Sequence, residues 1–329
     1  MTELLPKILR VHAEPCAYVD EAAVHRSLTF APSDYLAFVS NWLTLLAHGR
    51  ATMELPPKWI CPDHLSPEGG DFRVMPCAIR WGQEVIKTVK IVGTNRRQQL
   101  VPDQITVGKA FRLHPEENFI THVFEACLLS SARTGLCGAL ALSRLAPLRR
   151  KITIIGAGRV GFYSALYAMA LGGVEEITFR DAQPDRAALA ASALGDFCQP
   201  EKLDAPIQCD ALVLATTARE AFCHPHTTDA KVIVSLGADT EDQHELAAAW
   251  ASIAEIYFDG PDCLQVGDLR AWRSAGLIAE NNLTSLLELW RGGPRSSDRP
   301  RIFISTGSAL LDNLTIAYLL EENTSAPPN

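Results

Sequence analysis

Three ionisable side chains set in apolar surroundings are the first places to look for chemistry in this 329-residue chain. Lys90 lies in Glu84-Val-Ile-Lys-Thr-Val-Lys-Ile-Val92, where strand alternation puts Ile86, Thr88 and Lys90 on one face and Val85, Lys87, Val89 and Ile91 on the other. A lysine sharing a face with apolar neighbours either is partly buried, ready to bind a carboxylate or move protons, or guards a sheet edge against aggregation. Arg133, in Ser130-Ser-Ala-Arg-Thr-Gly135, is a lone cation in a small-residue helical stretch. It needs an anionic partner, which a ligand carboxylate or phosphate would supply, as would Glu125. Asp239 ends Val232-Ile-Val-Ser-Leu-Gly-Ala-Asp239. It is expected either beyond the carboxyl end of a strand, where ligands bind, or as the cap of a following helix. Lys58, in Leu55-Pro-Pro-Lys-Trp59, is a second anion contact or a loop charge. His224 and His226 have no obvious further ligand, so no metal site is expected. No Gly-x-Ser-x-Gly elbow appears, which leaves a hydrolase triad without support.

A cofactor motif stands mid-chain. An apolar run, Ile152 to Ile155, meets Gly156-Ala-Gly158-Arg159-Val160-Gly161, and a helix-compatible stretch follows. Gly156 permits a tight turn, Gly158 lets backbone approach a pyrophosphate, and Gly161 lets helix and sheet pack closely. The helix N-terminus adds partial positive charge for the phosphates. A second strand delivers Asp181, 20 residues after Gly161, where a carboxylate takes the hydroxyls of an adenosine ribose. That acid favours NAD over NADP. Arg180 beside it is the counter-argument, since an arginine there accommodates a 2′-phosphate.

These residues need elements to hold them. Helical spacing runs over 32–48 through Tyr35, Phe38, Trp42, Leu45 and Leu46. Residues 72–92 read as strands broken at Met75-Pro76, and 109–123 as a hairpin turning at 114–118. Small and apolar residues over 125–145 predict a buried helix. Candidate strands at 152–155, 176–179, 211–215, 231–236, 255–258 and 301–305, spaced by helix-length segments, predict a doubly wound parallel sheet. A last helix is expected over 309–320 and a loose tail over 324–329. Loops within 62–71 and 264–277 bear on the pocket but have no readable placement.

Composition is that of an ordinary soluble, cytoplasmic protein, with 47% hydrophobic and 21% charged residues. A net charge of −8 and a pI near 5.6 leave no basic footprint for nucleic acid. Nine scattered cysteines without a C-x-x-C pair indicate reduced thiols. Residues 1–10 are interrupted by charge and proline before any signal-type core builds, and no apolar run is long enough for a membrane span.

Several separated motifs, in one order from about Pro56 to Tyr318, resemble the ornithine cyclodeaminase and mu-crystallin family. They are Pro-Pro-Lys58, Val74-Met-Pro76, Lys90-Ile-Val-Gly, Glu125 with Ser-Ala-Arg133-Thr, Ile-Gly-Ala-Gly158, Gly237-Ala-Asp239 with Glu245-Leu246, and Phe303-Ile-Ser-Thr-Gly307 ahead of Asp312. The resemblance implies an α/β fold: a Rossmann domain, 148–304, and a discontinuous α/β substrate-binding and dimerisation domain, 1–147 with 305–329, assembled as a homodimer. It implies NAD-dependent hydride transfer at the Cα–N bond of a small α-amino or α-imino acid, by cyclodeaminase chemistry or as an imine reductase or amino-acid dehydrogenase. Non-catalytic binding proteins related to mu-crystallin are the remaining alternative. By position, Lys90 and Arg133 match residues that hold the substrate carboxylate, with Lys90 also placed to polarise the imine in catalysis, Lys58 falls near another, and Asp239 matches the proton-handling acid. Thr134, Thr216 and Ser305 would lie around the cofactor. Thr-Glu-Asp-Gln-His-Glu-Leu follows Asp239 where many relatives have Pro-Gly-Lys, and 96–104 is also unlike the true cyclodeaminases. Both departures count against ornithine as the substrate.

Overall fold

The computed structural model describes residues 12–62 and 70–325. The readings made of residues 1–10, of the loop over 63–69 and of the tail over 326–329 lie outside the described residues. β1 (Ala17–Val19) leads into helix α1 (Glu21–Phe30), whose first turn is capped by the Asp20 carboxylate accepting from the Ala23 N–H. Pro32 starts α2 (Pro32–Ala47), where a missing N–H is harmless, and Tyr35, Val39, Trp42 and Leu46 bury one face. Strands β2 (Thr52–Glu54), β3 (Trp59–Pro62), β4 (Asp71–Trp81), β5 (Glu84–Thr94), β6 (Thr106–Leu113) and β7 (Ile120–Glu125) build the first sheet. Its order is β1-β7-β6-β5-β4-β2, with β3 also on β4; only the β1–β7 pair is parallel.

The expected break at Met75-Pro76 does not occur. Pro76 pairs across to Val89, and on its other side it falls between the stretches of β4 that meet β3 and β2. A proline is tolerated there because no strand on that side needs its N–H. β5 lies between β4 and β6, which overturns the edge-strand reading of Lys90. Ile86, Thr88, Lys90 and Val92 are buried, as alternation requires. The opposite face leaves Val74, Val89, Phe111 and Val123 half-buried and Ile91 exposed.

Helix α3 (Cys127–Leu145) runs from this sheet to the second and is buried along most of its length. The second sheet contains β8 (Lys151–Ile155), β9 (Glu176–Arg180), β10 (Cys198–Pro200), β11 (Ala211–Leu214), β12 (Val232–Ser235), β13 (Glu255–Phe258), β14 (Thr284–Ser285) and β15 (Arg301–Ile304). All its pairs are parallel, in the order β10-β9-β8-β11-β12-β15-β13-β14. Helices α4 (Arg159–Ala170) and α5 (Pro184–Leu194) follow β8 and β9. The segments before and after β11 are loops, not the expected helices. Arg180 holds the first of them by donating to the Ala205 and Pro206 carbonyls. The 264–277 segment is a 3₁₀ turn followed by a short helix, Gly267–Ser274. The last helix, α6 (Ala309–Ser325), returns to pack on β4, β5, α2 and α3, and runs beyond the expected start of the tail. No helix among the described residues is long and apolar enough to cross a membrane.

Contact between α3 and α4 brings the two sheets' helices together at Gly135. A Cβ there would lie 2.6 Å from both Ser164 N and Tyr163 C. Gly135→Ala is therefore expected to cost about 1–3 kcal/mol through overpacking. Thermal unfolding measures it, and an unchanged Tm would mean that the helices separate without penalty.

Candidate active site

The strand order of the second sheet reverses between β8 and β11, and the glycine turn lies at that switch. Gly156 has φ +102°, and a Cβ on it would meet the Ala215 carbonyl at 2.3 Å. A Cβ on Gly161 would lie 2.0 Å from the Gly156 carbonyl. Nothing lies within 4 Å of a Cβ on Gly158, and no side chain caps the first turn of α4. Open ground thus faces unpaired N–H groups, which fits a dinucleotide pyrophosphate. Arg159 is exposed there and donates to the Asp103 carbonyl at 2.7 Å, while Val160 packs half-buried against the core.

Asp181 accepts from the Ala157 N–H at 2.8 Å and from the Gln183 N–H at 2.8 Å, which places its carboxylate against the turn. Arg180 faces the other way. It is 1% exposed and is held by Glu201 and two carbonyls, so the expectation that it might accommodate a 2′-phosphate is overturned. Beyond β11 and β12, the buried Glu245 carboxylate ties the strand ends together. It accepts from the Thr216 N–H (2.7 Å) and Oγ1 (2.8 Å), the Ser235 Oγ (2.7 Å) and the Gly237 N–H (3.0 Å). Burial raises its pKa, and these hydrogen bonds work in the opposite direction. Thr216, just beyond β11, has its hydroxyl committed to Glu245.

A separate group of buried cations comes from β5, α3 and the β2–β3 connection. Lys90 Nζ donates to Asp312 Oδ1 at 2.6 Å and to Ser130 Oγ at 3.2 Å. Arg133 Nε donates to the same Asp312 oxygen at 2.8 Å. The partner proposed from sequence, Glu125, instead pairs with Lys109, because Glu125 ends β7 opposite that residue. Among the described residues, Arg133 Nη1 and Asp312 Oδ2 are buried without a hydrogen-bond partner. Burial, then Arg133, lowers the Lys90 pKa to about 7, with Asp312 acting in the opposite direction. Lys58 is buried, not a solvated loop charge, and donates to the Thr306 (3.1 Å) and Gly307 (3.4 Å) carbonyls. Burial, then Arg73, lowers its pKa. Thr134 spends its hydroxyl on the Ser130 carbonyl within α3, and Ser305 donates to Asp259.

Asp239 is not a helix cap, since residues 240–248 form turns and loops. Its carboxylate accepts from Arg73 Nη1 at 2.9 Å and its carbonyl from Arg73 Nη2 at 2.9 Å, while Asp71 takes Arg73 Nε at 3.0 Å. The Asp239 side chain remains 43% exposed, so it is held in place and still accessible. A buried arginine of the first sheet thus meets an acid in the loop after β12 of the second.

Residues 19–326 match the ornithine cyclodeaminase/mu-crystallin family. The chain belongs to that family. An alanine dehydrogenase of Archaeoglobus fulgidus is 27% identical over 300 residues, covering 87% of this chain and 88% of its own length. The fold is shared with the Δ1-pyrroline-2-carboxylate reductase of Thermococcus litoralis, solved with NADH and L-proline. That likeness has a TM-score of 0.82 at 20% identity, over 95% of this chain and 99% of the other. An archaeal alanine dehydrogenase dimer with bound NAD gives a TM-score of 0.80 at 22% identity, over 94% and 96%.

Arg73 and Asp312 belong to the site but were not chosen from the sequence as site residues. The alternation argument applied to Lys90 would have found Arg73, which shares its face with Met75, Cys77 and Ile79. Asp312 is an acid in an apolar helix, the same kind of signal as Arg133. His224 and His226 stack at 5.2 Å, and no group of three or more His, Cys, Asp or Glu among the described residues is placed to hold a metal.

Glu245 gives a direct test of the tie between the strand ends. Glu245→Ala leaves four donors without their acceptor and is expected to cost about 3 kcal/mol or more. Glu245→Gln, which keeps one acceptor oxygen, is expected to cost less. Thermal unfolding of both variants would refute the tie if they lost stability equally.

Proposed function

We propose that this protein is an NAD-dependent enzyme that transfers hydride at the Cα–N bond of a small α-amino or α-imino acid, without cyclisation. The observation that carries the reading is the shared carboxylate: Lys90 and Arg133 converge on one Asp312 oxygen and leave a buried guanidinium donor unpaired. That arrangement has positive charge to spare for a substrate carboxylate. Asp181 at the glycine turn and the buried Arg180 support NAD over NADP.

In the oxidative direction, Lys90, Arg133 and Lys58 clamp the carboxylate and so orient Cα toward the nicotinamide. Asp239, aimed by Arg73, accepts the proton that the substrate ammonium group must lose. The bound dinucleotide supplies the hydride acceptor, and Cα is left as an iminium. Reduction is the reverse, with Asp239 returning the proton. Cyclisation requires a second, side-chain amine near Cα. The departures after Asp239 and over 96–104 count against ornithine, which would supply one, and this supports a dehydrogenase or reductase over an ornithine cyclodeaminase.

The test is an absorbance screen at the NADH band. Amino acids are offered with NAD, and Δ1-pyrroline-2-carboxylate, or pyruvate or oxaloacetate with ammonium, with NADH. Lys90→Met and Asp239→Asn are expected to lower kcat/KM by about a hundredfold or more. Full activity in both variants would refute the assignment, and tight NADH binding without any rate would favour a non-catalytic binder. Protonated Lys90 is the form that holds the carboxylate, so kcat/KM is expected to fall as pH rises through about 7. Asp312 favours the protonated form, so Asp312→Asn should move that fall to lower pH. An unmoved profile would assign the limb to another group.

A second copy of the chain is the proposed cover for the outer face of the first sheet, where Val74, Val89, Ile91, Phe111 and Val123 form an apolar surface. Sedimentation velocity should give a homodimer for the wild type and a monomer for Val89→Asp with Ile91→Lys. A dimer that survives both substitutions would place the interface elsewhere.

A further inference from the structure

Asp259 follows β13 and is buried, and its partners are a hydroxyl, a thiol and a backbone N–H. Oδ2 accepts from the Ser305 Oγ and from the Gly307 N–H at 3.2 Å; Oδ1 accepts from the Cys263 Sγ at 2.6 Å. None of these groups holds substrate in the mechanism above, yet the segment that Asp259 grips bears directly on two groups that do. The carbonyls of Thr306 and Gly307 receive both hydrogen bonds of Lys58 Nζ. Gly307 has φ +90° and lies against the Arg133 guanidinium so closely that a Cβ would stand 2.8 Å from Nη2 and 2.9 Å from Nη1. Lys58 comes from the first sheet's β2–β3 connection and Arg133 from α3, and the 306–307 backbone touches both.

We propose that Asp259 is a positioning residue: by holding Ser305 and Gly307 it sets the backbone on which Lys58 and Arg133 are seated, and through them the affinity for the substrate carboxylate. The inference rests on the reading of those two cations as carboxylate holders. The negative charge of Asp259 also favours protonated Lys58, which acts in the same direction. A loop staple with no link to the cations would lower stability or kcat without a selective loss of affinity for the acid.

Initial rates of NADH oxidation separate the two, with Δ1-pyrroline-2-carboxylate as the probe, or pyruvate with ammonium where that is faster. Asp259→Ala is expected to raise KM about tenfold while kcat changes less than about threefold, the pattern of lost ground-state binding. Asp259→Asn keeps an oxygen for Ser305 and Gly307, and so should raise KM by no more than about threefold. In the double-mutant cycle, Asp259→Ala should raise KM by a smaller factor in the Lys58→Met background than in the wild type, because part of its effect acts through Lys58 and the rest through Arg133. Should the alanine variant not fold, the cycle is run with Asp259→Asn. Multiplicative effects in the cycle, or a fall in kcat at constant KM, would overturn the role given to Asp259. If Lys58→Met and Arg133→Met themselves leave KM unchanged, the carboxylate reading fails first, and the inference fails with it.

Discussion

One carboxylate, Asp312, is shared by two buried cations, and the rest of the site depends on that arrangement. Removing two positive groups from water costs several kcal/mol each, and a single acid offsets only part of it. Lys90 therefore titrates near neutrality, and a guanidinium donor is left unpaired. The arrangement persists because the three groups arrive on rigid elements, β5, α3 and α6, packed on one another without room to relax. In the function proposed above, a substrate carboxylate completes the charge balance, and affinity for an α-amino or α-imino acid follows from this electrostatic deficit.

The second sheet solves its polar burial differently. Glu245, Asp259 and Asp268 are buried acids held by backbone N–H groups, hydroxyls, a thiol and a histidine, with no lysine or arginine among the described residues bonded to them. Such acids fix the loops at the carboxyl ends of the strands without consuming cations. The buried cations of the site come from the first sheet, α3 and the β2–β3 connection, and the glycine turn belongs to the second sheet. The Arg73–Asp239 pair joins the two sheets, so the proton handling proposed for Asp239 would depend on how they are juxtaposed.

Much of the architecture was legible in the residues. Glycine spacing, apolar runs and alternation located β8, β5 and α3 to within a residue or two and the start of α4 to within three, because each is a local consequence of backbone sterics and side-chain period. Pro76 misled because its tolerance depends on which strands flank β4, and pairing is not local. The loops around β11 misled for the same reason: helix-length spacing does not reveal that Arg180 will pin carbonyls there.

By itself the sequence determined which side chains were anomalous for their surroundings: a lysine on an apolar strand face, an arginine in a small-residue helix, an acid after a turn of glycines. Only the tertiary structure decided their partners. Lys90 and Asp312 are 222 residues apart, as Arg133 and Asp312 are 179 apart, and Arg73 and Asp239 166. Coulomb energy acts through space with a strength set by local burial, and neither separation nor burial of such pairs is written in the order of the residues.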